Sequence, residues 1–254
     1  MADGPGVFNN VAPLRNVAAL VALIERVQSR SFGLPGMATF YGPSGFGKTT
    51  AAVFAANRFQ AFHVQVKSAW TTKKLTSAIL TDLGVRPDRT VADMIDQISG
   101  ELARSGLPLI IDEADHLVTR GVVEVVRDIY ESSGATIVLI GEEGLPQKLQ
   151  KWERVHGRML DWVAAQPGDA ADVTHLARIY APGIEIAPDL REHLLQVSAR
   201  SIRRICINLD RLAEFARTRG LTSVGLADWG RGDFFSGEAP HPRRDLAAAV
   251  RRVA

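Results

Sequence analysis

Eight residues from Gly42 to Thr49 read GPSGFGKT, and the spacing G-x-x-x-x-G-K-[ST] fits one chemical task. Gly42, Gly45 and Gly47 allow tight backbone torsions and a close approach to an anion. The N–H groups of such a loop, with the N-terminus of a following helix, cradle phosphate oxygens. Lys48 supplies a cation for the β- and γ-phosphates, and the Thr49 hydroxyl faces Mg²⁺. The expected nucleotide contacts are thus Gly42, Pro43, Ser44, Gly45, Phe46, Gly47, Lys48, Thr49 and Thr50, with ATP and Mg²⁺ as cofactors. A second group lies downstream, where the apolar run 107–111 (LPLII) ends in Asp112, Glu113, Ala114 and Asp115. Carboxylates delivered by a buried strand suit a metal and a base. Asp112 holds the Mg²⁺ shell, largely through water, and Glu113 polarises the attacking water. Lys48, Asp112 and Glu113 together point to hydrolysis as well as binding.

These groups need a strand before each of them and a helix after the loop. Residues 37–41 (MATFY) are a short apolar run that ends at Gly42, and residues 49–59 are Ala-rich without Pro or Gly, which gives strand, turn and helix. An N-terminal helix is expected over 11–30, from apolar residues at helical spacing, followed by a break at Gly33, Pro35 and Gly36. Further strands are expected over 61–66, 107–111 and 136–140, with a short fifth over 172–176. Helices are expected over 73–83, 91–104, 122–131 and 148–162. The alternation argues an α/β fold, a parallel sheet with helices on both faces. From 177 the pattern turns wholly helical (177–180, 188–198, 201–219 and 226–235). The expected organisation is an N-terminal helix and linker (1–35), an α/β core (36–176), a small helical lid (177–235) and a flexible basic tail (236–254), with a short helix over 246–253.

The chain has 254 residues, 46% hydrophobic and 23% charged, with a formal net charge of +2. Any nucleic-acid contact must therefore come from a local patch rather than from the overall field. No run approaches the ~18 apolar residues of a membrane span, and the first residues lack the pattern of a signal peptide. One cysteine, Cys206, gives no internal disulfide and fits a reducing cytoplasm. The six histidines lack metal-ligand spacing.

Such a patch is present at Lys67 and residues 68–74 (SAWTTKK). Thr71 or Thr72 suits an N-cap, which places Lys73 and Lys74 in a first helical turn, where positive charge opposes the dipole unless an anion is bound. Free N–H groups, the Thr71 and Thr72 hydroxyls and three ammonium groups make a phosphate site. Trp70 either stacks on a sugar or base or packs in the core. Arg86 and Arg89 extend the patch.

These residues resemble the AAA+ ATPases: the phosphate loop, the Walker-type acids of DEAD at Asp112 to Asp115, a fourth strand in TIVLIGEEGL, an arginine-bearing helix, and a lid with SIRRI. More narrowly, SAWTTKKL, LIGEEGL and the compact lid resemble the transposition ATPases, namely the MuB target-DNA activator of Mu-like phages and its TnsC-type relatives. The resemblance implies an arginine finger reaching a neighbouring subunit's nucleotide, at Arg158 with Arg154 as the alternative. It implies a lid arginine on the γ-phosphate, Arg203 with Arg204 as the alternative. A polar sensor at the end of the fourth strand would fall at Gly141 and Glu142, where a carboxylate repels phosphate. It places the SAWTTKK segment on the inner face of a filament wound on double-stranded DNA, without sequence preference. It also implies a transposase partner, for which residues 243–252 are a docking candidate. MuB-type proteins carry a helix-turn-helix domain ahead of the ATPase; residues 1–35 are too few for one, so the likeness moves toward the TnsC type. An ExeA-type secretion or assembly ATPase, or a nucleotide-switch adaptor with no DNA role, is the alternative reading. No membrane association is expected.

Overall fold

The computed structural model describes residues 14–230 and 232–237. The elements in chain order are α1 (Arg15–Gln28), β1 (Met37–Tyr41), α2 (Lys48–Phe59), β2 (Phe62–Gln65), α3 (Thr72–Asp82), α4 (Val91–Ser105), β3 (Leu109–Asp112), α5 (Asp115–Thr119), α6 (Val123–Ser133), β4 (Ile137–Gly141), α7 (Leu145–Gln150), α8 (Glu153–His156), β5 (Met159–Ala164), α9 (Ala170–Tyr180), β6 (Glu185–Ile186), α10 (Pro188–Val197), α11 (Ile202–Arg219), β7 (Ser223–Val224) and α12 (Leu226–Trp229). Strands β1 to β5 form one sheet in the order β2-β3-β4-β1-β5, parallel throughout.

Alternate side chains of a strand point to opposite faces, and here they feed two cores. Ala38, Phe40, Ile110, Val138 and Ile140 pack with α1, α2 and the C-terminal helices. Met37, Leu109, Ile111, Ile137 and Leu139 pack with α3, α4 and α6. β3 and β4 are buried along their whole length, which is why they read as unbroken apolar runs.

The expected helix over 148–162 is corrected. It resolves into α7, α8 and the true fifth strand, β5. The chain turns at Gly157, the C-cap of α8, and β5 is an edge strand that is only half-buried throughout, so it lacks the apolar run that marks β3. The short strand expected over 172–176 is corrected as well: these residues lie in α9, started by a capping box between Asp169 and Asp172. α9 runs through residues 176 and 177 and packs on α10 and α11. The C-terminal part is not wholly helical, because β6 and β7 pair in parallel, and α12 stops at Trp229 rather than continuing to 235. Residues 238–254 and 1–13, with the proposed docking segment 243–252 and the short helix over 246–253, lie outside the described residues.

Two buried polar side chains tie α1 to the rest. Asp172, 3% exposed, accepts the backbone N–H groups of Arg15 at 3.0 Å and Asp169 at 3.1 Å. Asn16, 5% exposed, donates to the carbonyls of Phe46 and Gln166, both at 2.8 Å, and accepts the N–H of Gln166 at 2.8 Å. One amide thus joins α1, the 42–49 loop and the core–helical connection. Asn16→Ala leaves those groups without partners in a closed site. It is expected to cost about 2–3 kcal/mol of stability, read as a lower denaturant midpoint with an unchanged slope.

Candidate nucleotide-binding site

The site sits at the C-terminal ends of β1, β3 and β4. Gly47 is the N-cap of α2 in the left-handed region, with φ 81°. Gly45 has φ 86°, and a β-carbon there would stand 2.6 Å from Ser201 Oγ. Only glycine satisfies both the torsion and the approach. The approaching element is the start of α11: the Arg203 N–H donates to the Gly45 carbonyl at 2.9 Å, and the Ser201 hydroxyl donates to the same oxygen at 3.3 Å.

Lys48 lies within the loop, where its Nζ donates to the Gly42 and Pro43 carbonyls at 2.6 and 2.9 Å. Burial pushes its pKa down, against the opposing pull of Glu113 and Asp112. Thr49 Oγ1 donates to Asp112 Oδ2 at 2.9 Å, although β4 lies between β3, which ends in Asp112, and β1, which leads into the loop before Thr49. Asp112 is 1% exposed and its other oxygen accepts the Glu113 N–H at 2.9 Å. A hydroxyl and an ionisable carboxylate in contact, with a phosphate loop alongside, fit Mg²⁺, which keeps most of its shell as water and substrate oxygens. Among the described residues no cluster of three or more His, Cys, Asp or Glu suits a tighter metal site.

Glu113 has φ 58°, a left-handed conformation uncommon outside glycine and costly by about 1–2 kcal/mol. The surrounding backbone holds it there: the Ala114 N–H donates to Ile140 at 2.9 Å and the His116 N–H to the Glu113 carbonyl at 3.2 Å. Burial first, and then Asp112, raise the pKa of its carboxyl. That favours a base able to hold a proton.

Arg203 Nη1 lies 3.4 Å from Ser44 Oγ, so it faces the loop, whereas the Arg204 guanidinium lies against Gly237. The loop, Glu113, Gly141, Glu142 and Arg203 line a cavity of about 520 Å³. Gly42, Pro43 and Phe46 do not line it; Phe46 packs against the first core. The outer wall is Tyr180, Ile202, Cys206, Ile207 and Asp210, a mixed surface that sequence reasoning missed, since α9 and α11 meet there only through the fold.

At the fourth-strand sensor position, Gly141 is crowded by Asp115, whose Oδ2 would lie 2.3 Å from an added β-carbon. Asp115 accepts the Glu142 N–H and the Lys148 ammonium, each at 2.6 Å. The Asp115–Lys148 pair fixes the end of β4, and that hydrogen bond raises the pKa of Lys148.

Arg154 and Arg158 stand elsewhere. The Arg158 carbonyl accepts the Met37 N–H at 3.1 Å, which places it at the N-terminal edge of the sheet, opposite the phosphate loop. α8 ends at His156, so the two arginines do not share one helix, but they line one depression with Arg127, Glu131 and Glu153. Arg158 pairs with Glu131.

The SAWTTKK segment is ordered as a cap: Thr71 accepts the Lys74 N–H at 3.3 Å. Lys67, Lys73 and Lys74 are exposed and Thr72 half-buried. Lys73 donates to the Arg89 carbonyl at 3.1 Å, and Lys74 lies 5.8 Å from the Trp70 ring centre. Trp70 is half-buried against the second core, and its carbonyl accepts Arg120 at 3.4 Å, a further cation that sequence reasoning missed. The segment follows β2, and the Val66 N–H donates to the Asp112 carbonyl at 2.9 Å. Patch and metal-ligand candidate are thus adjacent in one ladder.

Residues 33–149 match a family described as "AAA domain". The fold is similar to ORC2 of Aeropyrum pernix in ADPNP and ADP complexes, at TM-score 0.63 and 16% identity over 91% of this chain and 69% of that one. It is also similar to ORC1 of Aeropyrum pernix in complex with DNA, at 0.57 and 20% over 94% and 64%. A third similar structure is CDC6P of Pyrobaculum aerophilum, at 0.58 and 13% over 88% and 66%. The chain spans about two thirds of the length of each of these proteins. Among curated proteins no sequence matches. The family match makes residues 33–149 an AAA-type P-loop ATPase domain, and the strand order with the similar structures gives the chain the AAA+ fold. No helix among the described residues is long and apolar enough to cross a membrane.

The raised pKa of Glu113 has a thermodynamic sign. Folding favours its protonated form, so its contribution to stability is present below the ordinary glutamate pKa and is lost as pH rises through the folded value. Glu113→Gln keeps the shape without the charge. It is expected to melt above wild type at pH 7, and the difference is expected to vanish as pH falls below the ordinary range, read by thermal melts across pH without nucleotide.

Proposed function

We propose that this chain is an ATP-dependent, sequence-nonspecific DNA-binding regulator of DNA transposition, of the MuB and TnsC type. It oligomerises on target DNA, recruits or activates a transposase, and disassembles on hydrolysis. The observation that carries the DNA part of this reading is the bond from Val66 to Asp112. It joins the end of β2, from which the chain runs through Lys67 to the capped helix start bearing Lys73 and Lys74, to the end of the strand that carries the catalytic acids.

In this reading Lys48 and Arg203 bind the β- and γ-phosphates, while the Ser44–Gly47 backbone cradles them. Thr49 and Asp112 would hold Mg²⁺, which when bound would supply positive charge beside the phosphates. Glu113 orients the attacking water and takes its proton. Arg158, or Arg154 beside it, serves a neighbour: β1 spans roughly 17 Å at strand rise between these arginines and their own loop, too far for a side chain to reach. The nucleotide is then completed by a second subunit. Lys67, Trp70, Thr71, Thr72, Lys73 and Lys74 touch DNA phosphates and sugars, each subunit weakly, with affinity from many subunits on one duplex.

Two measurements test this. Glu113→Gln is expected to lower ATP turnover by about 10²–10⁴-fold while a fluorescent ATP still binds. Random-sequence duplex is expected to bind only with ATP and more tightly as it lengthens, by anisotropy. Lys73→Ala with Lys74→Ala weakens it and reduces the salt slope by about 2. Equal DNA affinity with and without ATP would refute the reading.

A further inference from the structure

The segment between α1 and β1 carries the most exposed large apolar side chain among the described residues. Phe32 is 108% exposed and Leu34 48%. Two exposed apolar side chains on one turn form a small patch, which is a candidate contact surface, and the backbone beneath it is fixed. The Arg30 guanidinium donates to the Val27 carbonyl at 2.9 Å and to the Thr136 hydroxyl at 3.1 Å. The Gly36 N–H donates to the Tyr130 hydroxyl at 2.9 Å. Between these staples the Leu34 N–H closes a turn on the Ser31 carbonyl at 3.2 Å, and Gly33 takes φ 85°. Such a preorganised prong loses little entropy on docking.

Leu34 shares a depression with Arg158 and Glu131, which continues to Arg127 and Arg154. Three arginines against Glu131 and Glu153 leave this rim positive on balance, and an apolar anchor beside arginine is the composition of a protein interface centre. The turn precedes β1 and Arg158 precedes β5, so both stand on the sheet edge opposite the nucleotide cavity. That cavity's mouth has the complementary character. Glu113, Glu142 and Asp210 outnumber Lys48 and Arg203 among its lining, and bound Mg·ATP adds further negative charge. Beside them Tyr180 is 40% exposed.

We infer that the turn carrying Phe32 and Leu34 anchors one copy of this chain onto the nucleotide-bearing face of a second copy, head to tail. The inference rests on the self-association proposed above and names the surface that performs it. Two different faces meet, so the contact is heterologous and repeats from copy to copy.

Sedimentation velocity with a non-hydrolysable ATP analogue tests it. Wild type is expected to assemble, and Phe32→Glu to need at least about ten-fold more protein, while its thermal melt and fluorescent-nucleotide affinity stay unchanged. Benzoylphenylalanine in place of Phe32 is expected to cross-link to α9 or α11 of a second copy. A wild type that stays single with nucleotide overturns self-association and this inference together. A Phe32→Glu protein that assembles at wild-type concentration overturns the inference alone and leaves the turn to a different protein partner. A cross-link from turn to turn overturns the head-to-tail arrangement.

Discussion

The carbonyl of Gly45 is the point on which the site depends. It accepts both the Arg203 N–H and the Ser201 hydroxyl, and so fastens the first turn of α11 to the phosphate loop. The Gly45 carbonyl is thus spent on the helical unit, which leaves the anion to N–H groups of the loop. Without that clasp Arg203 would have no fixed position over Ser44, and the outer wall of Tyr180, Cys206 and Asp210 would not face the loop. The contact also explains the amino acids on both sides. A β-carbon at position 45 would collide with Ser201, and the chain reaches Ser201 through Ala199 and Arg200, both at positive φ, a conformation that costs non-glycine residues.

The remaining groups are aligned by continuation of the backbone ladder beyond the side-chain core. The Gly42 N–H donates to Gly141 at 3.3 Å, Ala165 to Tyr41 at 2.7 Å, Ala114 to Ile140 and Val66 to Asp112 at 2.9 Å. Each bond lies at the C-terminal rim of the sheet, where open α/β sheets form their crevice. The rim is therefore rigid, and the strained φ of Glu113 is held by its neighbours rather than relaxed by them.

The phosphate loop and the acids after β3 were legible in the sequence because their spacing is local. Eight consecutive residues specify the turn, and an unbroken apolar run specifies a strand buried on both faces. β5 was not legible, because an edge strand with Asp161 in its middle, following two short helices, carries neither period clearly. The stretch 172–176 is too short for its period to separate strand from helix, while the Asp169–Asp172 capping box that starts α9 is the local signal for a helix. Asn16, the Asp115–Lys148 pair, Arg120 and the outer wall of the cavity could not be read at all. Each gains its meaning from a partner brought near only by the sheet, as Gln166 is to Asn16.

The separation of Arg158 from the loop across the length of β1 has a consequence for any assembly in which one subunit's arginine completes the next subunit's site. A closed ring completes every site. An open chain always leaves one terminal nucleotide without an arginine, and at the opposite end one arginine without a nucleotide. The two ends then differ chemically, and the fraction of complete sites rises with length. Such a polymer has a direction and a slow end, and both arise from one sheet with its donor on one edge and its acceptor on the other.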